Sequence, residues 1–250
     1  MKIKILALIL FLNVYLIKAS EPTVFNYGYT LGIGMSTSTL LGNGPNTNSM
    51  NPLVNTEAAL GGSFKGAQPG IDIRFTYQYD ENGKFRIPIG VDWTFYDAID
   101  RFPIAKYLRD KYENSSSILA PYIGLNYHFL KLDRALATMY AGLEVRANLI
   151  SESSFRLLRT NDIDQSLGYD LVEHQKASTL RLGSAIKIGA EGELADNYLI
   201  NISGAYSIVN LLLKDSNRGE LLTPRKDFET SEKYLQSFNF LIMIQYKFGK

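Results

Sequence analysis

Charged residues recur inside apolar segments of this chain at alternating positions. Asp72 and Arg74 stand two apart, as do Glu144 and Arg146, and Arg86, Asp92, Arg181, Lys187, Glu191 and Lys247 are likewise set among large apolar neighbours. On a strand, two-residue spacing puts such groups on one face. Six of these ten are basic and four acidic. Enclosed together they must pair, since an unpaired buried charge costs several kcal/mol. They would form either a salt-bridged filling or the lining of a narrow polar conduit. Support for catalysis is thin. His128 and His174 are the only histidines, and no spacing sets a serine beside either. There is no cysteine, so disulfides and thiol-linked lipid anchors are excluded. Asp162-x-Asp164-x-Ser166-x-Gly168-x-Asp170-x-x-Glu173 approaches the oxygen spacing of a calcium loop. Its glycine comes one place late and no helix pair flanks it, so a solvated acidic loop is the stronger reading. No catalytic, cofactor or metal residues are assigned.

The elements that must position these charges are strands. Period-two alternation appears in eight runs: Tyr27 to Met35, Ile71 to Tyr79, Phe85 to Phe95, Leu119 to Phe129, Met139 to Leu149, Leu180 to Ala190, Tyr198 to Ile208 and Phe238 to Phe248. Asn82-Gly83 between the second and third is a hairpin signal. Pro88 cannot donate to a ladder and marks a bulge or local irregularity in the third. Glu57 to Ala67 could add strand, raising the count toward ten.

Short and long connections alternate. Runs two and three, four and five, and six and seven are joined by short turns. The others are joined by long segments at roughly 36–69, 97–117, 151–177 and 210–235. Within the second of these, Ile104 to Tyr112 has the makeup for one or two helical turns. Residues 1–20 have the pattern of a removed export signal: Lys2 and Lys4, an apolar core from Ile5 to Ile17, then small Ala19 and Ser20. That leaves 21–250 as one domain. Losing three lysines moves the net charge from +1 to −2, which offers no electrostatic case for nucleic acid. No other segment approaches the length of apolar helix needed to cross a bilayer.

Volume decides which face points outward. The apolar face carries far more bulk than the lumen of a small barrel can hold, whereas the other face mixes Gly, Ala and Ser with the charges. Aromatics fall at both ends of the runs. Tyr29, Tyr77, Phe85, Tyr127, Tyr198 and Phe248 lie toward the short turns, and Trp93, Phe95, Tyr206 and Phe238 toward the long segments. Aliphatic residues between them complete an apolar band with two aromatic girdles. The expected fold is therefore all-β: a transmembrane up-and-down antiparallel β-barrel of about eight strands, with short periplasmic turns and long extracellular loops.

On these residues the chain resembles the small outer-membrane β-barrels of the OmpA/OmpX type, the outer membrane protein β-barrel domain family. The sharpest shared element is the last run, Phe240-x-Ile242-x-Ile244-x-Tyr246-x-Phe248. In that family such a strand is the signal read by the barrel-assembly machinery. The resemblance implies the outer membrane of a diderm, Gram-negative-type bacterium, with membrane lipids and lipopolysaccharide as surroundings. The expected role is structural or surface-interacting, through the loops and an unidentified extracellular ligand, with the lumen filled by the charge network. A narrow porin-like channel is the alternative, and a lipid-modifying enzyme a second one.

Overall fold

The computed structural model describes residues 28–41, 64–80, 82–214, 219–221 and 232–249. The export segment at 1–20, Tyr27 and most of the 57–67 stretch lie outside the described residues.

Alternation becomes ten strands: β1 (Tyr29–Leu41), β2 (Gln68–Gln78), β3 (Phe85–Ala105), β4 (Leu108–Leu132), β5 (Ala137–Ile150), β6 (Ser153–Asn161), β7 (Tyr169–Lys176), β8 (Thr179–Ala195), β9 (Tyr198–Ile208) and β10 (Gln236–Phe248). Eight of them close a ring in the order β1-β2-β3-β4-β5-β8-β9-β10, every pair antiparallel. The terminal strands seal it along their full length, from Tyr29 opposite Phe248 to Leu41 opposite Gln236. Closure satisfies every ladder group without water, as a hydrocarbon surrounding requires. Pro88 causes an interruption and no bulge: pairing to β4 lapses at Ile87 and Pro88 and resumes at Ile89 in the same register.

Two of the long connections are not irregular loops. Beyond the ring, β3 and β4 continue as a hairpin past Arg101 opposite Lys111 and turn at Lys106-Tyr107. The helical turns expected at Ile104 to Tyr112 do not form. The alternation simply runs on, with Ala98 and Tyr112 buried and Ile99 and Arg101 exposed, so one-sided packing favours strand. In the 151–177 connection, β6 pairs with the outer half of β4, and β7 pairs with β6. A short 3-10 turn at Gln165–Leu167 joins them, capped by the Asp164 carboxylate, which accepts the Ser166 N–H at 2.9 Å. The result is a four-stranded sheet, β3-β4-β6-β7, whose strands run on for about 30 Å past the ring at the ~3.4 Å rise of a strand.

The opposite end is tight. Asp80 accepts from the backbone N–H groups of Lys84 and Phe85 at 3.1 and 2.6 Å, and Gly83 takes φ 68°. The large apolar residues of the ring face outward: Met35 is 78% exposed, Ile186 64% and Leu143 62%. Aromatic rings stack at the tight-turn end, with Tyr29 at 5.4 Å from Tyr77 and 5.8 Å from Phe248, and Trp93 and Phe95 lie 4.6 Å apart toward the other end. No helix among the described residues is long and apolar enough to span a membrane.

Candidate functional site

The lumen collects the charges predicted from the alternation. Tyr122, on β4, is the hub. Its hydroxyl donates to both carboxylate oxygens of Asp72 at 2.9 and 3.0 Å and accepts from Arg74 Nε at 2.7 Å. Arg74, Arg146 and Lys187 surround its ring, 5.7, 5.3 and 5.6 Å from the centroid. Arg146 reaches Glu144 at 2.7 Å and Asp92 at 3.2 Å, and Glu144 also takes Lys187. Ser36 donates to Asp92 at 3.0 Å. Tyr122 fits because Gly90 stands opposite: a Cβ there would sit 2.6 Å from the phenol oxygen. The six charges Asp72, Arg74, Asp92, Glu144, Arg146 and Lys187 thus form one buried, hydrogen-bonded network.

The other four predicted charges have ion-pair partners elsewhere along the lumen. Arg86 and Glu191 pair nearer the tight-turn end, and Glu191 also meets Asn201 at 3.5 Å. Tyr140 donates to Asn201 at 2.9 Å and lies beside His128, whose Nδ1 is 2.9 Å from the Thr138 hydroxyl. His128 is therefore a lumenal hydrogen-bonding residue held against Thr138. Arg181, at the far end, clamps loop residues Glu232 and Glu220, the latter at 2.6 Å. Lys247 sits at the near rim against Glu193. Strand register distributes the ten charges along the barrel axis, from Lys247 at the near rim to Arg181 at the far end.

Apart from Tyr96, whose alternation already placed it inside, sequence reasoning missed what covers the network. Leu40, Phe64, Tyr96, Ile118, Ile150 and Val209 form a buried apolar cluster, joined by Leu221 and Leu235 from the β9–β10 connection. The signal was present: Ile118 and Ile150 continue the inward register of Ala120 and Asn148 one step beyond the runs. Loop residues Phe64, Leu221, Glu220 and Glu232 carried no such signal. Between cluster and network lies a cavity of about 20 Å³, bordered by Asp92, Tyr96, Arg146 and Asn148, room for about one water.

Outside the ring, the oxygens of the 162–173 segment are engaged by different partners. Asp162 pairs with Arg109 at 3.0 Å, Asp164 caps the turn, and Asp170 pairs with Arg156. The Arg156 guanidinium holds the Asp170 carboxyl below its usual range, and hydrogen bonds from Ser166 do the same for Asp164. The side chains of Glu173 and His174 lie outside the described residues. Among the described residues no group of three or more His, Cys, Asp or Glu is placed to hold a metal.

A closed eight-stranded ring with an apolar exterior, aromatics at both ends and a charged interior has the fold of the small outer-membrane β-barrels. No protein-family model matches the sequence, and no curated protein does. Among solved structures, the chain is similar to Neisserial surface protein A, at 11% identity and TM-score 0.43, covering 88% of this chain and 97% of that one. It is similar also to OprG from Pseudomonas aeruginosa, at 13% identity and TM-score 0.43, covering 92% and 99%. A third is Ail, the attachment invasion locus protein of Yersinia pestis, at 11% identity and TM-score 0.40, covering 90% and 100%. The fold assignment rests on the geometry of the ring itself.

Proposed function

We propose that the protein is a closed surface scaffold of the outer membrane, which presents its β3-β4-β6-β7 sheet to an extracellular partner and passes no solute through its lumen. The observation that carries this reading is the filling of the lumen. An apolar cluster lies directly over a paired charge network, with about 20 Å³ between them. The raised sheet supports the recognition half. Its outward face carries a charge ladder, with Glu113 meeting both Lys111 and Arg156, and Arg156 meeting Asp170. Binding residues tend to sit on such projections from a rigid frame. In this reading residues 1–20 are removed on export, and Phe240, Ile242, Ile244, Tyr246 and Phe248 are the strand read by the assembly machinery.

Single-channel recording on folded protein in a planar bilayer tests the closed lumen, with folding checked by the heat-dependent gel shift. Silence is expected. A steady conductance that changes on Arg74→Gln or Asp92→Asn would replace this reading with the narrow channel. Shortening both outer hairpins should leave the gel shift intact and remove binding to the partner cell or matrix surface.

A further inference from the structure

On the outer wall, four large apolar residues stand side by side across four strands. Trp93 on β3 faces Leu119 on β4, Leu119 faces Leu149 on β5, and Leu149 faces Leu180 on β8. One outward step higher, toward the raised sheet, the positions over Leu119 and Leu180 are Ser117 and Ser178. Over Leu119, Leu149 and Leu180 the wall therefore drops from bulky to small side chains, while Phe95 stands over Trp93 with the rings 4.6 Å apart. The backbone deepens the step. Pairing between β4 and β5 ends there, where Ser151 Oγ accepts the Ser117 N–H at 2.8 Å, and β4 then takes β6 as its partner. These features enclose a groove of about 490 Å³ on the outside of the ring. That volume lies within the roughly 300–1,000 Å³ of ordinary ligand sites.

We infer that this groove is a binding site for one acyl chain of an outer-leaflet lipid. The occupant follows from continuity: the floor residues belong to the apolar band that faces hydrocarbon, and Leu180 and Trp93 are themselves about half exposed there. The upper edge is hydroxyl-bearing, at the level where an aromatic girdle marks the boundary with the headgroups. A chain lying on the rung of Trp93, Leu119, Leu149 and Leu180 covers apolar surface, while the lipid's polar end meets Ser117 and Ser178. This inference rests on the membrane-spanning fold and goes beyond the surface-scaffold reading.

Trp93 is the only tryptophan in the chain, so the site carries its own reporter. Phospholipid brominated in the acyl chain is titrated into folded protein held in unbrominated detergent micelles, and tryptophan fluorescence is read. The expected result is quenching that saturates at low lipid fraction, corresponding to about a tenfold preference for lipid over detergent at the site. Ser178→Phe, which fills the upper edge, should abolish the saturable phase while retaining the heat-dependent gel shift. In a Trp93→Phe/Tyr206→Trp protein the reporter moves to the β9 wall, and quenching should follow bulk lipid fraction. Quenching proportional to bulk fraction at both positions overturns the site and leaves the barrel reading intact. Saturable quenching that survives Ser178→Phe also overturns it. Absence of quenching at either position, in lipid bilayers as well as micelles, overturns the site together with the membrane-spanning reading.

Discussion

Tyr122 donates its hydroxyl to Asp72 from a strand 50 positions along the chain, and Arg74 closes the triangle by donating both to the phenol oxygen and to the Asp72 carboxylate. The phenol thus links β4 to β2 through the middle of the barrel, where β3 lies between them in the wall. Tyr122→Phe leaves Arg74 Nε without its acceptor and removes a donor from Asp72. Loss of a buried partner of this kind costs about 1–3 kcal/mol. Denaturant unfolding from lipid vesicles, followed by Trp93 fluorescence, should show a lower midpoint of that size with the gel shift preserved.

Glu144 holds two cations, Arg146 and Lys187, and all three are buried. Glu144→Gln strands a positive charge with no replacement for Lys187. Breaking a buried pair from one side destabilises by about 3–5 kcal/mol. The same unfolding measurement should show a larger loss than Tyr122→Phe, and a loss below that of Tyr122→Phe would mean that the network is more hydrated than its packing indicates.

Gly90 provides the clearance for Tyr122. A Cβ at Gly90 meets both the phenol oxygen and the Ile73 carbonyl at 2.6 Å, and the carbonyl belongs to the wall and cannot move aside. Gly90→Ala should cost about 1–3 kcal/mol as overpacking. Gly204→Ala is the matched control, because its Cβ meets only the ring edge of Phe238 at 3.4 Å. It should change stability by no more than about 0.5 kcal/mol.

The β6–β7 hairpin has an acid-sensitive tie. Asp170 is held below its ordinary value of 3.8 by Arg156, through a hydrogen bond and charge attraction. A carboxylate depressed on folding stabilises the folded form above its unfolded value and loses that contribution as pH falls through its folded value. Amide exchange in residues 153–176, compared between neutral pH and pH below the ordinary value, should reveal added opening of the hairpin in acid after correction for intrinsic rates. Arg156→Gln should flatten that dependence while leaving exchange in the ring unchanged.

The barrel was legible because lipid and lumen impose opposite demands on alternate residues. Leu31, Ile33 and Met35 can only face hydrocarbon if Gly32, Gly34 and Ser36 face inward, and the same logic places Asp72 with Arg74 and Glu144 with Arg146 inside. The raised sheet was hidden because its alternation is weaker. Outside the membrane, Asp97, Ile99 and Arg101 are all acceptable on a wet face, so the period no longer separates strand from loop. Phe64 and Leu221 were hidden for a different reason: a loop residue's burial depends on where the chain folds back and carries no periodic trace.

The amino-acid order by itself determined the face each side chain takes and therefore the set of charges enclosed, because alternate residues of each strand answer to hydrocarbon and to lumen. It could not determine which charges meet. Asp92 and Arg146 lie on strands that are not neighbours in the ring, as do Arg86 and Glu191, and their meeting depends on ring closure and on relative height along the axis. Closure also decided that the lumen is covered, since the apolar cluster draws its members from strand ends and loops that only the completed ring brings to one place.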